Sequence, residues 1–193
     1  MSDRRRLEAV LRQDLASFIR KVFPEVSAGE TFLPNWHVQA IAHHLALCEL
    51  GLIKRLIITL PPRNLKSICA SVAFPAWVLG RDPRRKIICA SYSQDLAEKL
   101  SIDCRTVMGA NWYADLFPET DLPRGNNTRR LLRTGAGGFR YATSVTGTVR
   151  GLGGDMIIID DPLKGLEAVS PAERLRVAQW YDGVIYKRPD TCS

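Results

Sequence analysis

The sequence predicts an α/β fold: a parallel β-sheet between two layers of helices, preceded by an N-terminal helical segment. Three observations predict it. Short apolar runs at 55–60, 86–90 and 155–160 are rich in β-branched residues at consecutive positions, as in strands buried on both faces. Longer stretches with apolar residues at three- and four-residue steps lie between them. The chain has 193 residues, 46% hydrophobic and 24% charged, which supports one packed domain and excludes a disordered or collagen-like chain.

The elements follow in order. Leu7, Leu11, Leu15, Phe18 and Val22 predict a first helix over 4–22, ended by Phe23-Pro24. A second helix over 36–50 is closed by Gly51. The run 55–60 is the first strand; it leads through Pro61-Pro62-Arg63-Asn64-Leu65-Lys66-Ser67 into a helix reaching about residue 79. A strand over 86–90 precedes a helix over 91–108, with Ser91 and Gln94 at capping-box spacing. Runs 131–134 and 139–143 flank Gly135-Ala136-Gly137-Gly138 and predict a hairpin. A glycine-rich loop at 147–154 opens the acidic strand 155–160. Ser170-Pro171-Ala172-Glu173 then combines a capping box with proline at the first helical position, starting a helix to about 185.

Charge gives direction. There are 27 Lys+Arg against 20 Asp+Glu, a net +7, which favours polyanionic partners. The excess is concentrated: eight basic residues and only Asp82 as acid between Lys54 and Lys86, then six arginines and no acid between Arg124 and Arg150. Arginine's planar donor fork suits phosphate, although single arginines on a solvated face need no such reason. The five cysteines form no CxxC pair, and four sit among apolar neighbours, so buried reduced thiols and a reducing compartment are expected. No apolar run reaches the ~20 residues that span a bilayer, and the N-terminus lacks a signal-peptide core.

Two segments carry chemistry. A strand, a turn and a helix opening on Lys66-Ser67 aim backbone N–H groups and the helix dipole at one spot, where an ammonium can meet phosphates and a hydroxyl can hold Mg²⁺. The usual pattern G-x-x-x-x-G-K-[ST] has leucine here at both glycine positions, Leu60 and Leu65, so the loop must close without glycine's freedom at positive φ. Asp160-Asp161 follow four apolar residues, where a second strand would present metal-binding and water-polarising carboxylates. The plain structural reading of Asp160-Asp161-Pro162 is a strand end with an Asx turn. Together the two segments favour a nucleotide site. His43 and His44 lack acid or cysteine partners at ligand spacing and read as ordinary helix residues.

Several stretches, in order, resemble the ATPase part of the large terminase subunit of tailed bacteriophages and prophages, from about Trp36 through Tyr186. They are Trp36-His37-Val38-Gln39, the 60–67 loop, Ser91-Tyr92-Ser93, Trp112-Tyr113 before Leu116-Phe117-Pro118, and Ala142-Thr143-Ser144-Val145 before Gly151. The 155–164 segment, Ser170-Pro171-Ala172-Glu173-Arg174 and Trp180-Tyr181 complete the series. The resemblance implies a P-loop NTPase of the ASCE type, with an extra catalytic strand between the phosphate-loop and acidic strands, and the cofactors ATP and Mg²⁺. It implies that Pro62, Arg63, Asn64, Leu65, Lys66 and Ser67 line the phosphates, that Ser67 and Asp160 hold the metal, and that Asp161 stands at the catalytic acid. Trp36 and Gln39 would bind adenine, Gln39 through its amide. Arg150, in the 147–154 loop, would reach a neighbouring subunit's γ-phosphate.

The implied role is a DNA-packaging motor in the bacterial host cytoplasm, a ring of these subunits acting on double-stranded DNA with a small terminase subunit and a portal. Residues 1–35 would form the helical segment and 36–193 the ATPase domain, cut short, with the family's nuclease domain absent. Two alternatives stand beside it: another P-loop DNA-remodelling ATPase, such as a helicase-like one, and an inactive prophage remnant that only binds DNA or partners.

Overall fold

The computed structural model describes residues 3–123, 125, 127–147, 149 and 152–185. The first expected helix is two helices, α1 (Asp3–Gln13) and α2 (Leu15–Val26). Asp14 breaks them apart: its backbone is extended and its side chain accepts the Ser17 N–H at 2.8 Å, an N-cap inside what reads as one periodic run. Pro24 does not end α2, which continues to Val26. The proline leaves only the Arg20 carbonyl without a helical donor, and Arg20 is exposed to water.

α3 (Trp36–Glu49) forms where expected, closed by Gly51 at φ +73°. The 55–60 run, expected as a buried strand, pairs with no strand. It alternates in exposure instead: Leu56, Ile58 and Leu60 pack against the core while Ile57 is 90% exposed. β-Branched residues favour extended backbone, but a strand also needs a neighbour for its N–H and C=O groups, and no described segment lies beside this one as a strand. After the 61–67 loop a π-helical turn over Ile68–Ala73 continues into α4 (Phe74–Arg81).

The sheet holds β1 (Lys86–Ser91), β2 (Leu131–Arg133), β3 (Phe139–Ser144) and β4 (Met156–Asp160) in the order β2-β3-β1-β4. β1 runs parallel to β3 and β4, whereas β2 and β3 form the expected antiparallel hairpin, so this α/β sheet is mixed and open rather than all parallel. Register pairs Ile87 with Arg140 and Met156, Cys89 with Ala142 and Ile158, and Ser91 with Ser144 and Asp160, so these side chains share one face. That face meets the larger core, built with Phe18, Ile19, Val22, Trp77, Leu79 and Tyr113 from the helices. On the other face Ile88, Ala90 and Phe139 join Val145, Val149 and Trp180.

The remaining helices are α5 (Gln94–Met108), α6 (Asn111–Leu116) and α7 (Pro171–Trp180). The cap of α5 is Ser93, whose Oγ accepts the Leu96 N–H at 3.2 Å; Ser91, the expected cap, is the buried last residue of β1. Ser170 caps α7 as expected. The N-terminal helices belong to the same core as the sheet: Trp77 Nε1 donates to the Leu11 carbonyl at 3.1 Å, and Phe18 packs edge-on against Trp112 and Tyr113. Cys69, Cys89 and Cys104 are buried and free. Among the described residues no helix is long and apolar enough to cross a membrane.

Candidate functional site

The 61–67 loop closes by left-handed turns. Arg63 at φ 64° and Leu65 at φ 60° both adopt the region glycine favours, so the loop turns through left-handed backbone without a glycine. Asn64 holds it, donating from Nδ2 to the carbonyls of Pro61 at 3.0 Å and Pro62 at 3.2 Å. The helix then starts, with Cys69 N–H on the Leu65 carbonyl at 2.9 Å. Pro62 and Arg63 are exposed; Asn64, Leu65, Lys66 and Ser67 are half-buried.

Lys66 leaves this turn toward the end of β4. Its ammonium forms a close ion pair with Asp161 and lies 4.0 Å from Asp160 Oδ1. Two segments far apart in sequence therefore meet at the C-terminal end of parallel strands, the place where open α/β sheets present their ligand sites. Asp161 has φ 45° and is half exposed, and its carbonyl accepts the Tyr92 N–H at 3.1 Å, which ties it to the end of β1. Asp160 is 4% exposed, and its Oδ2 accepts from Ser71 Oγ at 3.0 Å. The hydroxyl on this carboxylate is therefore Ser71's, one helical turn beyond Ser67.

The donor set of carboxylates, an ammonium and a nearby hydroxyl suits a Mg²⁺–phosphate group, because Mg²⁺ takes few protein carboxylates and fills its shell with water and phosphate oxygen. Trp36 is 76% exposed, and Gln39 is exposed too, while Val38, Ile41, Ala42 and Leu45 turn α3's opposite face to the core. These two thus stand on the solvent side of α3. Arg150, with Gly151 beside it, lies outside the described residues.

Two residues of this centre escape sequence reasoning. Ser71 sits in an apolar helical run where nothing marks it. Arg140 belongs to the second arginine cluster, yet it is fully buried and donates to the Ser71 carbonyl at 3.0 Å. Its signal was its place in a strand: alternation in β3 puts it on the inward face with Ala142. Burial also keeps nearby thiols protonated: it pushes Cys69 and Cys104 up to about 12 and raises Cys89. No protein-family model and no curated protein matches the chain.

Proposed function

We propose that the chain is a Mg²⁺-dependent ATPase module of a P-loop type, in the role of a viral DNA-packaging motor's large terminase subunit. One observation carries the reading: Lys66, set by a left-handed loop at a helix start, meets Asp160 and Asp161 at the end of β4. An ammonium beside two acids at a strand end is what a magnesium–triphosphate requires on its protein side.

Bound ATP and Mg²⁺ would supply the phosphoryl group and the charge that neutralises it. The chain's own residues do the rest. With nucleotide bound, Lys66 would exchange its partner Asp161 for phosphate oxygens, and the Asp161 carboxylate so released would be free to orient a water. Asp160, tied through Oδ2 to Ser71, keeps Oδ1 toward Lys66 and the loop. Arg63, exposed at the loop's crest, can add a phosphate contact. The basic clusters would hold duplex DNA through its phosphates, with binding that weakens in salt.

A fluorescent ATP analogue tests this. The chain should bind it with a Mg²⁺-dependent signal, and Lys66→Ala should weaken binding about tenfold or more, the worth of a charge-assisted hydrogen bond. Absence of Mg²⁺-dependent binding by the unmutated chain would refute the reading. DNA-stimulated phosphate release then separates an ATPase from an inactive chain that only binds, and unwinding of a forked duplex would favour a helicase-like enzyme.

A further inference from the structure

Arg140, the second residue of β3, has no exposure and lies beside Ile87 of β1 and Leu132 of β2, both equally buried. A guanidinium there is costly unless it is bonded and faced by opposite charge. Its bonding is incomplete: Nη2 donates to the Ser71 carbonyl at 3.0 Å, while Nε and Nη1 have no hydrogen-bond partner among the described residues. Packing alone would be served better by an apolar side chain. One buried negative charge on the same sheet face is Asp160. Both residues stand on the same sheet face, on the strands flanking β1, and both act electrostatically on Cys89 of β1 between them.

Ser71 joins the two. Its carbonyl takes the arginine and its hydroxyl gives to Asp160 Oδ2 at 3.0 Å, while Ser71 itself is 1% exposed. It lies in the π-helical turn over Ile68–Ala73, a local irregularity of a kind that gathers at functional sites. The turn follows directly on Ser67, so the placement of the turn also sets where the Lys66–Ser67 helix start sits.

We infer that Arg140 and Ser71 are positioning residues for Asp160. Arg140 anchors the π turn from beneath and supplies a permanent positive charge on the sheet's inner face. Ser71 clamps one Asp160 oxygen, so that the other is presented to the metal when Lys66 turns to phosphate. The inference rests on the nucleotide reading above and assigns to it two residues that touch neither nucleotide nor metal.

The test is a Mg²⁺ titration of fluorescent ATP-analogue binding, read as the Mg²⁺ concentration at half-saturation, beside binding of the same analogue without Mg²⁺. Ser71→Ala keeps the carbonyl that Arg140 uses and removes only the hydroxyl. It should raise the Mg²⁺ half-saturation about tenfold, the usual loss when a group orienting a metal-binding carboxylate is removed, with Mg²⁺-free binding unchanged. Arg140→Lys, which keeps the charge, should raise it less than Arg140→Met. Should Arg140→Met fail to fold, Arg140→Lys with Ser71→Ala still decides: both must move the Mg²⁺ dependence. A cooperatively melting Ser71→Ala chain with unchanged Mg²⁺ half-saturation overturns the positioning role and leaves the nucleotide site standing. No Mg²⁺-dependent binding by the unmutated chain overturns both.

Discussion

Leu65 stands at φ 60°, where an L-residue with a β-carbon is strained, and it occupies the place of glycine in the common phosphate-loop pattern. Comparing Leu65→Gly with Leu65→Ala isolates that strain. Both variants lose the leucine side chain that packs on the larger core, so that loss cancels between them. Left-handed backbone costs a non-glycine residue about 1–2 kcal/mol, and glycine's greater freedom in the unfolded chain costs it about 0.5–1 kcal/mol. Glycine should therefore be the more stable variant by about 0.5–1 kcal/mol, which in a chain of this size separates the melting temperatures by about 1–4 °C. In an ordinary helical start the order reverses, with alanine ahead by up to ~1 kcal/mol. The sign alone decides. Urea unfolding and thermal melts of the two variants, followed by circular dichroism, read it directly. Alanine equal to or above glycine would show that residue 65 does not hold positive φ, and the left-handed turn at the start of the helix would go with it.

Two further predictions concern the core. Burial holds the Cys69 and Cys104 thiols at about 12 against an ordinary 9.0, so the unfolded chain releases those protons first as pH rises. Their contribution is complete below pH 9 and is lost between 9 and 12, at about 1.4 kcal/mol per thiol per pH unit; urea unfolding at pH 8, 9 and 10 should show the fall, with Cys104→Ala making it shallower, and a flat profile would contradict it. At Gly80 an added β-carbon would come 2.4 Å from Phe117 Cδ2. Gly80→Ala should thus destabilise by about 1–2 kcal/mol, overpacking outweighing alanine's helix preference, whereas a melting point at or above the unmutated chain's would show that Phe117 moves aside freely.

What the sequence made legible was what periodicity and local chemistry control. β1, β4 and the β2–β3 hairpin follow from apolar runs and turn residues, and the Ser170 cap of α7 follows from its box. The Lys66–Asp161 meeting was legible because each partner ends or begins an element whose polarity is fixed. Asp14 was not, since an N-cap inside a periodic run leaves the period intact. Ser91 and Ser93 offer competing caps two residues apart, and the choice falls to where β1 stops. Arg140 and Ser71 were hidden for a deeper reason: a buried arginine reads as a surface one until the strands on either side of it are known.

The 55–60 run shows how the site is held. The 61–67 loop was expected to be suspended between a strand and a helix, as in a sheet whose ladder fixes the loop's first arm. Instead that arm pairs with no described strand; Leu56, Ile58 and Leu60 pack on the larger core while Ile57 is open to water. The loop's second arm is more deeply buried: the π turn packs on β4, Ser71 bonds Asp160, and the chain from Cys69 within that turn to Gly80 in α4 is buried without interruption. The two left-handed residues, Arg63 and Leu65, lie between the half-exposed arm and the buried one. Lys66 and Asp160 thus owe their mutual placement to helix-on-sheet packing, not to pairing of the strand that precedes the loop. Substitutions that loosen the π turn should disturb the acidic pair more than substitutions along 55–60, and the anchoring role of Arg140 beneath that turn follows from the same asymmetry.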